Sequence, residues 1–464
     1  MTASDLYTDR AAGACPIHAV DADNLDATLG QLSDVHRAWA RATGWEPKPG
    51  TVLILPGSDG SVAAALAATG GHEPFWALAA IPGQLPAGTY VFAADPDRHD
   101  ARRMALAWGI GQYRFRRYSN GKPAARRLLA WPEGAPREPV LSAVDADALV
   151  RDLVNTPAGD LGPAELSQAA SGLAGATGAE FREVVGEALL GENFPAIHAV
   201  GRASEQAPRL LELGWGEPGL PRVTLVGKGV CFDSGGLNIK AAQGMRHMKK
   251  DMGGAAQALG LARMIMDAGL PVRLRVIIPA VENAVSGNAY RPGDVVRTRA
   301  GLTVEIGNTD AEGRMVLADA LALADEDAPE LLIDFATLTG AARVALGPDL
   351  PPLYTTDEDL AQQLARCGAA EGDPLWPMPL WTPYETGLSS PIADLCNVSS
   401  DAFAGSIYGA LFLRRFVARA TAWAHLDVFA WNPRARAGRP EGGMTQGVRA
   451  VFAWLATRYP AGQA

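Results

Sequence analysis

Three short stretches carry the side chains that could do chemistry. In VGKGVCFDSGGLNIK (226–240) an apolar run enters a turn that holds Lys228, Asp233 and Lys240 among four glycines. Such glycines let a backbone turn tightly and approach a ligand. The stretch lacks the GxxxxGK[ST] pattern of a nucleotide-binding P-loop, and read alone it is a strand-to-helix loop. In MKKDMGGAAQA (248–258) Asp251 stands before an Ala- and Gly-rich helical segment, where Asp commonly serves as an N-cap, and Lys249 and Lys250 read as solvated. In IGNTDAEGRMVLADAL (306–321) Thr309 and Glu312 have the S/T-x-x-E spacing of a capping box, yet Gly313 and Arg314 make a poor first helical turn. An extended backbone there would instead point Asp310, Glu312 and Arg314 to one face. Asp233, Asp251, Asp310 and Glu312, brought together without cations, would raise one another's pKa values sharply. A pair of divalent cations removes that repulsion. Oxygen-rich ligand sets suit Mn²⁺ or Mg²⁺, and Zn²⁺ also accepts Asp and Glu. Lys228 could join them only as the neutral amine, the form a bound cation favours.

These residues need a scaffold that holds them at the ends of strands. The C-terminal two-thirds alternates apolar strands with helices: RVTLVGKG (222–229), a helix from Gly253 to about Ala268, VRLRVIIPAV (272–281), a helix from Met315 to Asp325, and ELLIDFATLTG (330–340). Near-continuous apolar strands between helices imply a sheet covered on both faces. The expected fold is therefore α/β, with a C-terminal three-layer α/β/α catalytic domain, a mixed central sheet, and a smaller N-terminal α/β domain. Ligands of such sheets sit beyond the carboxyl ends of the strands, where the acidic and glycine-rich stretches fall. In the N-terminal part, TVLILP (51–56) and TYVFAAD (89–95) read as strands and Asp100 to Gly109 as a helix. Pro132, Pro136 and Pro139 crowd one short stretch, which places a linker at about 131–143 between domains 1–135 and 136–464, with a helix from about Asp145 to Asn155 after it.

Beyond the strand-end clusters, NTDAEGR (308–314), GKGVCFDSGG (227–236), DMGGAA (251–256) and LVNTPAGDLGP (153–163) resemble the leucyl (cytosol) aminopeptidase family, two-metal exopeptidases. Further matches lie at YRPGDVV (290–296), DFATLTGA (334–341) and WAHLDV (423–428), so the likeness runs from about Val150 to the C-terminus. The segment before Trp131 resembles the family's N-terminal, macro-like domain in position and α/β character. The resemblance implies that Lys228, Asp233, Asp251 and Glu312 hold one metal and that Asp233, Asp310 and Glu312 hold its neighbour, as Mn or Zn. It implies Lys240 and Arg314 as catalytic, with a bicarbonate ion held at Arg314. Met248, Thr337, Gly340 and Met444 match the side-chain pocket and favour Leu or another apolar residue at the substrate's N-terminus. Two departures, Ala241 where the family has Pro and GMTQG (443–447) where it has a GATG-like run, bear on side-chain preference and not on the ligands. The family also implies peptide substrates and a homo-hexamer.

Composition narrows the alternatives. The 464 residues include 51 acidic and 41 basic, a formal charge of −10, with 48% apolar residues. That balance argues against a nucleic-acid partner, whose phosphates need Lys and Arg. A DNA-binding regulatory role, known for some family members, is accordingly the minor reading. A narrow dipeptidase, such as one acting on cysteinyl-glycine, is the alternative within the enzyme class. Cys15, Cys231, Cys367 and Cys396 are too few and scattered for a disulfide scaffold or a cysteine-based zinc site, and Cys231 reads as a buried small residue rather than a nucleophile. His247 reads as a loop residue. The N-terminus MTASDLYTDR has no signal-peptide pattern and no apolar run reaches ~18 residues, so the expected location is the cytoplasm, without membrane contact.

Overall fold

The computed structural model describes residues 2–93, 100–119 and 125–462. The chain divides into two compact units, one of residues 1–148 with 432–441, the other of 149–431 with 442–464. The first unit holds a six-stranded sheet in the order Tyr7–Thr8, Arg127–Ala130, Gly88–Phe92, Cys15–Val20, Val62–Ala68, Val52–Pro56. All neighbours are parallel except the last pair. The strands expected at 51–56 and 89–95 appear as Val52–Pro56 and Gly88–Phe92; positions 94 and 95 lie outside the described residues. Ala101–Gly111 is helical, and Asp100 caps it by accepting from the Arg102 amide.

One boundary differs from expectation. The helix placed at Asp145–Asn155 begins at Arg137, inside the proline-rich stretch, and runs to Asn155 as α1. Pro136 precedes it and Pro139 falls in its first turn, where a missing N–H breaks no intrahelical bond. The prolines therefore start this helix rather than exclude it.

The second unit is built on a mixed sheet of nine strands, β1 (Glu180–Val185), β2 (Arg209–Trp215), β3 (Arg222–Gly227), β4 (Gly229–Asp233), β5 (Arg273–Asn283), β6 (Leu331–Ala336), β7 (Pro352–Thr355), β8 (Trp376–Pro377) and β9 (Ala422–Asp427). Their order is β8-β7-β9-β6-β3-β5-β2-β1, with β4 pairing β5. The centre, β9-β6-β3-β5, is parallel, and β7, β2 and β1 are antiparallel additions at the flanks. Every residue of β6 is buried, as a strand covered on both faces requires. Two helices frame the site: α2 (Gly253–Asp267), which starts just after Asp251, and α3 (Glu312–Glu326), which carries Glu312 and Arg314 in its first turn. In α3 all residues from Glu312 to Asp325 are buried. Its interior acids are accounted for by backbone donors. Asp319 accepts from the amides of Ala196, Ile197 and Arg299, and Asp325 from those of Ala418, Arg419 and Ala420. A small sheet of Val295–Arg297, Thr303–Glu305 and Leu395–Cys396 lies apart from the main one in pairing.

The core also contains a buried histidine–aspartate pair. His425 Nδ1 on β9 meets Asp334 Oδ1 on β6 at 2.5 Å, both side chains 0% exposed, and Trp423 Nε1 donates to the other carboxylate oxygen at 2.9 Å. Burial opposes a charge on His425, but the Asp334 carboxylate outweighs it and raises the imidazole pKa. A raised histidine contributes stability that is fully present below its unfolded value, about 6.5, and is lost as pH rises through the folded value. Asp334→Ala is therefore expected to cost about 3–5 kcal/mol in denaturant unfolding near pH 6, with a smaller penalty at higher pH. A penalty independent of pH would show that His425 is neutral throughout.

Candidate metal centre

The site lies at the carboxyl ends of the central strands. Lys228 sits in the one-residue gap between β3 and β4; its amide donates to the Phe335 carbonyl, and its carbonyl accepts from Ala255 at the start of α2. Strand, helix and neighbouring strand thus fix its backbone. Its ammonium reaches Asp251 Oδ2 at 2.6 Å and Glu312 Oε1 at 2.8 Å, and donates to the Thr337 carbonyl at 3.0 Å. The residue after Glu312 must be glycine for this to fit, because a Cβ on Gly313 would lie 2.5 Å from Lys228 Cε. That steric need explains why α3 begins with so poor a helix former.

Asp233 ends β4. Its Oδ1 accepts from the Gly235 amide and from Asn283 Nδ2, each at 2.8 Å, and its Oδ2 lies 2.7 Å from Lys240 Nζ. The turn that follows needs glycine at 235, where φ is +88°. It brings Lys240 back so that its amide donates to the Ser234 carbonyl, and its ammonium also meets Asp310 Oδ1 at 2.5 Å. One carboxylate oxygen from each of Asp233, Asp310 and Glu312 lies within 4.8 Å of the other two. Glu312 Oε2 is buried with no hydrogen-bond partner among the described residues. Asp251 Oδ1 accepts from Thr337 Oγ1 at 2.7 Å. Lys228, Asp233, Lys240, Asp251, Asp310 and Glu312 therefore form one connected set.

Electrostatics follow from burial and crowding. Burial first, then the neighbouring carboxylates, push Glu312 up to about 7 and Asp233 up to about 6. Asp310 is raised, chiefly by burial. Burial also acts to raise Asp251, but Lys228 and Lys250 outweigh it and hold the carboxyl below the usual range. Burial disfavours the Lys228 and Lys240 ammoniums, yet the acids around them dominate and both are raised. A carboxylate cluster that resists losing its protons, with one oxygen unpartnered, is the donor set that a divalent cation satisfies. The residues present fit such an ion, and the thiolate-free set suits Mn²⁺ or an oxygen-ligated Zn²⁺.

Arg314, in the first turn of α3, is 8% exposed and makes no ion pair among the described residues. Its Nη1 donates to the Asn397 carbonyl at 2.6 Å, its guanidinium lies over the Phe412 ring, and Nε has no partner. Burial pushes it down to about 10. Of the pocket candidates, Thr337 bonds to the connected set, its carbonyl to Lys228 and its hydroxyl to Asp251. Met248 opens the 3₁₀ turn Met248–Met252 that carries Asp251, Gly340 begins the helix Gly340–Leu346, and Met444 is tied by its amide to the Ala430 carbonyl.

Several expectations are corrected here. Asp251 does not cap α2; its oxygens are taken by Lys228 and Thr337. Thr309 and Glu312 form no capping box, since Ala311 is the N-cap and the Thr309 hydroxyl donates to the Gly235 carbonyl and accepts from the Asn238 amide. Nor is 310–314 extended. Glu312 and Arg314 share the first turn of α3, and it is the turn before it that brings Asp310 to Glu312. Lys250 is not solvated: it is 5% exposed, lies over the Phe429 ring, and is pushed down to about 8 by burial. Lys249 donates to the Asn155 carbonyl. Cys231 is buried as expected, and His247 precedes the 3₁₀ turn, its ring against Trp431. Sequence reasoning passed over Asn283, Tyr290 and Asn397. Asn283, a polar end to the long apolar strand β5, was the most visible of these, and its Nδ2 also donates to the Thr309 carbonyl, which accepts from Tyr290 as well.

Residues 148–452 match the cytosol aminopeptidase family, catalytic domain, and residues 15–131 match the M17 aminopeptidase N-terminal domain. The chain belongs to the cytosol aminopeptidase family. As a member it is a peptidase, a hydrolase of the aminopeptidase class. A probable cytosol aminopeptidase of Roseiflexus castenholzii is 43% identical over 362 residues, 74% of this chain and 73% of that protein. The crystal structure of the cytosol aminopeptidase of Coxiella burnetii superposes with a TM-score of 0.94 at 46% identity, covering 98% of this chain and all of that one. The bottromycin maturation enzyme BotP in complex with Mn superposes at 0.86 with 35% identity, covering 96% and 98%. No helix among the described residues is long and apolar enough to cross a membrane.

Proposed function

We propose that this aminopeptidase uses two divalent metal ions, held by Lys228, Asp233, Asp251, Asp310 and Glu312, to release apolar N-terminal residues, Leu foremost, from peptides. The observation that carries it is the convergence of Asp233, Asp310 and Glu312 beside the unpartnered Glu312 Oε2. Bound there, a metal pair supplies a water nucleophile at neutral pH and Lewis acidity toward a carbonyl. The chain's own residues do the rest. Lys228 and the acids fix the position of the ions. Lys240, with an ammonium that already bridges Asp233 and Asp310, would donate to the oxygen on which negative charge builds. Arg314 would hold a bicarbonate beside the scissile bond, a role supported by its Nη1 being fixed on the Asn397 carbonyl and its buried Nε lacking a hydrogen-bond partner among the described residues. Met248, Thr337, Gly340 and Met444 line the side-chain pocket in this reading. Mn is supported by the manganese named with BotP, and Zn by the acceptance of carboxylates. We further propose folding domains of 1–135 and 136–464, a homo-hexameric assembly and a cytoplasmic location.

The test is hydrolysis of Leu-p-nitroanilide and a panel of free and N-blocked dipeptides by the Mn-loaded protein, before and after chelation. Cleavage of free substrates, best for Leu or Met, should vanish on chelation and return with Mn. Activity that survives chelation, or cleavage of blocked peptides, would refute this reading.

A further inference from the structure

The helix turn with Glu312 and Arg314 is held from a point more than eighty residues away in sequence. The segment Leu395–Cys396 pairs in parallel with Val304–Glu305, and Asn397, which follows it, is 0% exposed. Asn397 meets the site stretch at five points. Its amide donates to the Glu305 carbonyl at 2.9 Å. Its Oδ1 accepts from the amides of Gly307 at 2.8 Å and Asn308 at 3.2 Å, while Nδ2 donates to the Asn308 carbonyl at 2.8 Å. Its own carbonyl accepts from Arg314 Nη1 at 2.6 Å. The side chain thus replaces the partners that a further strand would supply to residues 307 and 308. Asn308 in turn accepts from the Asp310 amide through its Oδ1 at 2.8 Å. One residue therefore sets both the entry of the loop that delivers Asp310 and Glu312 and the direction of the buried Arg314 guanidinium.

We propose that Asn397 is a positioning residue that locks the Asp310–Glu312 turn and the Arg314 guanidinium in a single working arrangement. This rests on the two-metal reading above. The nearby Asp394, three residues earlier, does not duplicate that role. It holds the same segment through the Thr303 amide and hydroxyl, and its side chain makes no hydrogen bond to residues 307–308 or Arg314. The three bonds on this buried side-chain amide are directional, so its removal leaves the amides of Gly307 and Asn308 and the carbonyl of Asn308 without those partners. Backbone looseness there is transmitted to Asp310 within two residues.

Asn397→Ala, Asn397→Asp and Asp394→Ala should be compared with wild type by steady-state kinetics on Leu-p-nitroanilide, Mn²⁺ titration calorimetry of the metal-free protein, and thermal melting. Asn397→Ala is expected to lower kcat about 10- to 100-fold and to weaken Mn²⁺ binding by a similar factor, as losses of ligand-orienting partners do, with KM nearly unchanged. Asn397→Asp, which keeps the two acceptor bonds and loses the donor, should fall between, which keeps the test decisive if the alanine variant fails to fold. Asp394→Ala should lower the melting temperature while kcat and Mn²⁺ affinity stay at wild-type values. Equal loss of activity in Asp394→Ala and Asn397→Ala would reduce Asn397 to a structural residue, and unchanged kcat and Mn²⁺ affinity in either Asn397 variant would overturn the proposal. Failure of wild type itself to hydrolyse the substrate with Mn²⁺ would count against the two-metal reading instead.

Discussion

Glu312→Ala is expected to lower kcat/KM on Leu-p-nitroanilide by about 10⁴-fold, equivalent to roughly 5.5 kcal/mol of transition-state stabilisation. In the proposed ligand set Glu312, like Asp233, belongs to both metal positions. One oxygen pairs with Lys228, the other is buried without a partner, and the carboxylate groups with Asp233 and Asp310. Its loss removes a proposed ligand and also leaves the buried Lys228 ammonium with Asp251 as its only ion-pair partner among the described residues. Metal analysis should report fewer than two ions per chain in the variant. Glu312→Gln, which keeps the shape but removes the charge, should behave similarly if ion binding is the role. Retention of more than about a tenth of wild-type kcat/KM by either variant would remove Glu312 from the ligand set.

Lys240→Ala is the second large effect. The ammonium it deletes lies against Asp233 and Asp310 but, unlike that of Lys228, is 15% exposed as a side chain and so within reach of a substrate. Loss of one donor to a developing oxyanion costs about 3–4 kcal/mol, or roughly 10²–10³ in kcat. KM and metal content should change little, since Lys240 is assigned to charge stabilisation and not to ligation. Lys240→Arg should not restore the rate, because a planar fork does not reproduce a compact ammonium. A rise in KM at constant kcat would instead make Lys240 a ground-state binding residue.

The parts of this site that could be read from sequence are those with a local cause. Lys228, Asp233 and Asp310 stand where apolar runs give way to glycine-containing turns, and strand ends are where sheets of this kind bind ligands. Strand and helix placement was legible for the same reason, with α1 misjudged because proline at a helix start resembles proline in a linker. What stayed hidden depends on contacts distant in sequence. Lys250 reads as a charged neighbour of Asp251, and its burial against Phe429 is set by a loop about 180 residues later. Asn397 has no pattern around it that marks it, because its role lies in Gly307, Asn308 and Arg314. Likewise, the pairing of Asp334 with His425 needs the β6–β9 register.

The gap at Lys228 has a consequence for biogenesis. The proposed ligands come from the β3–β4 junction, the end of β4, the turn before α2, and the turn into α3, and the Lys228 amide is held by the carbonyl of Phe335 on β6. An unfinished chain emerging during synthesis lacks the Phe335 and Thr337 partners of Lys228 and Asp251 until β6 has been laid beside β3, so on the proposed reading it would offer passing ions an incomplete set. On the proposed two-metal reading, ion capture would be a late event that rewards only completed molecules, by RT ln(1 + [ion]/Kd). Scarcity of the ion in a growing cell would lower the durability of the enzyme together with its activity, and quality-control proteases would be the first to register it.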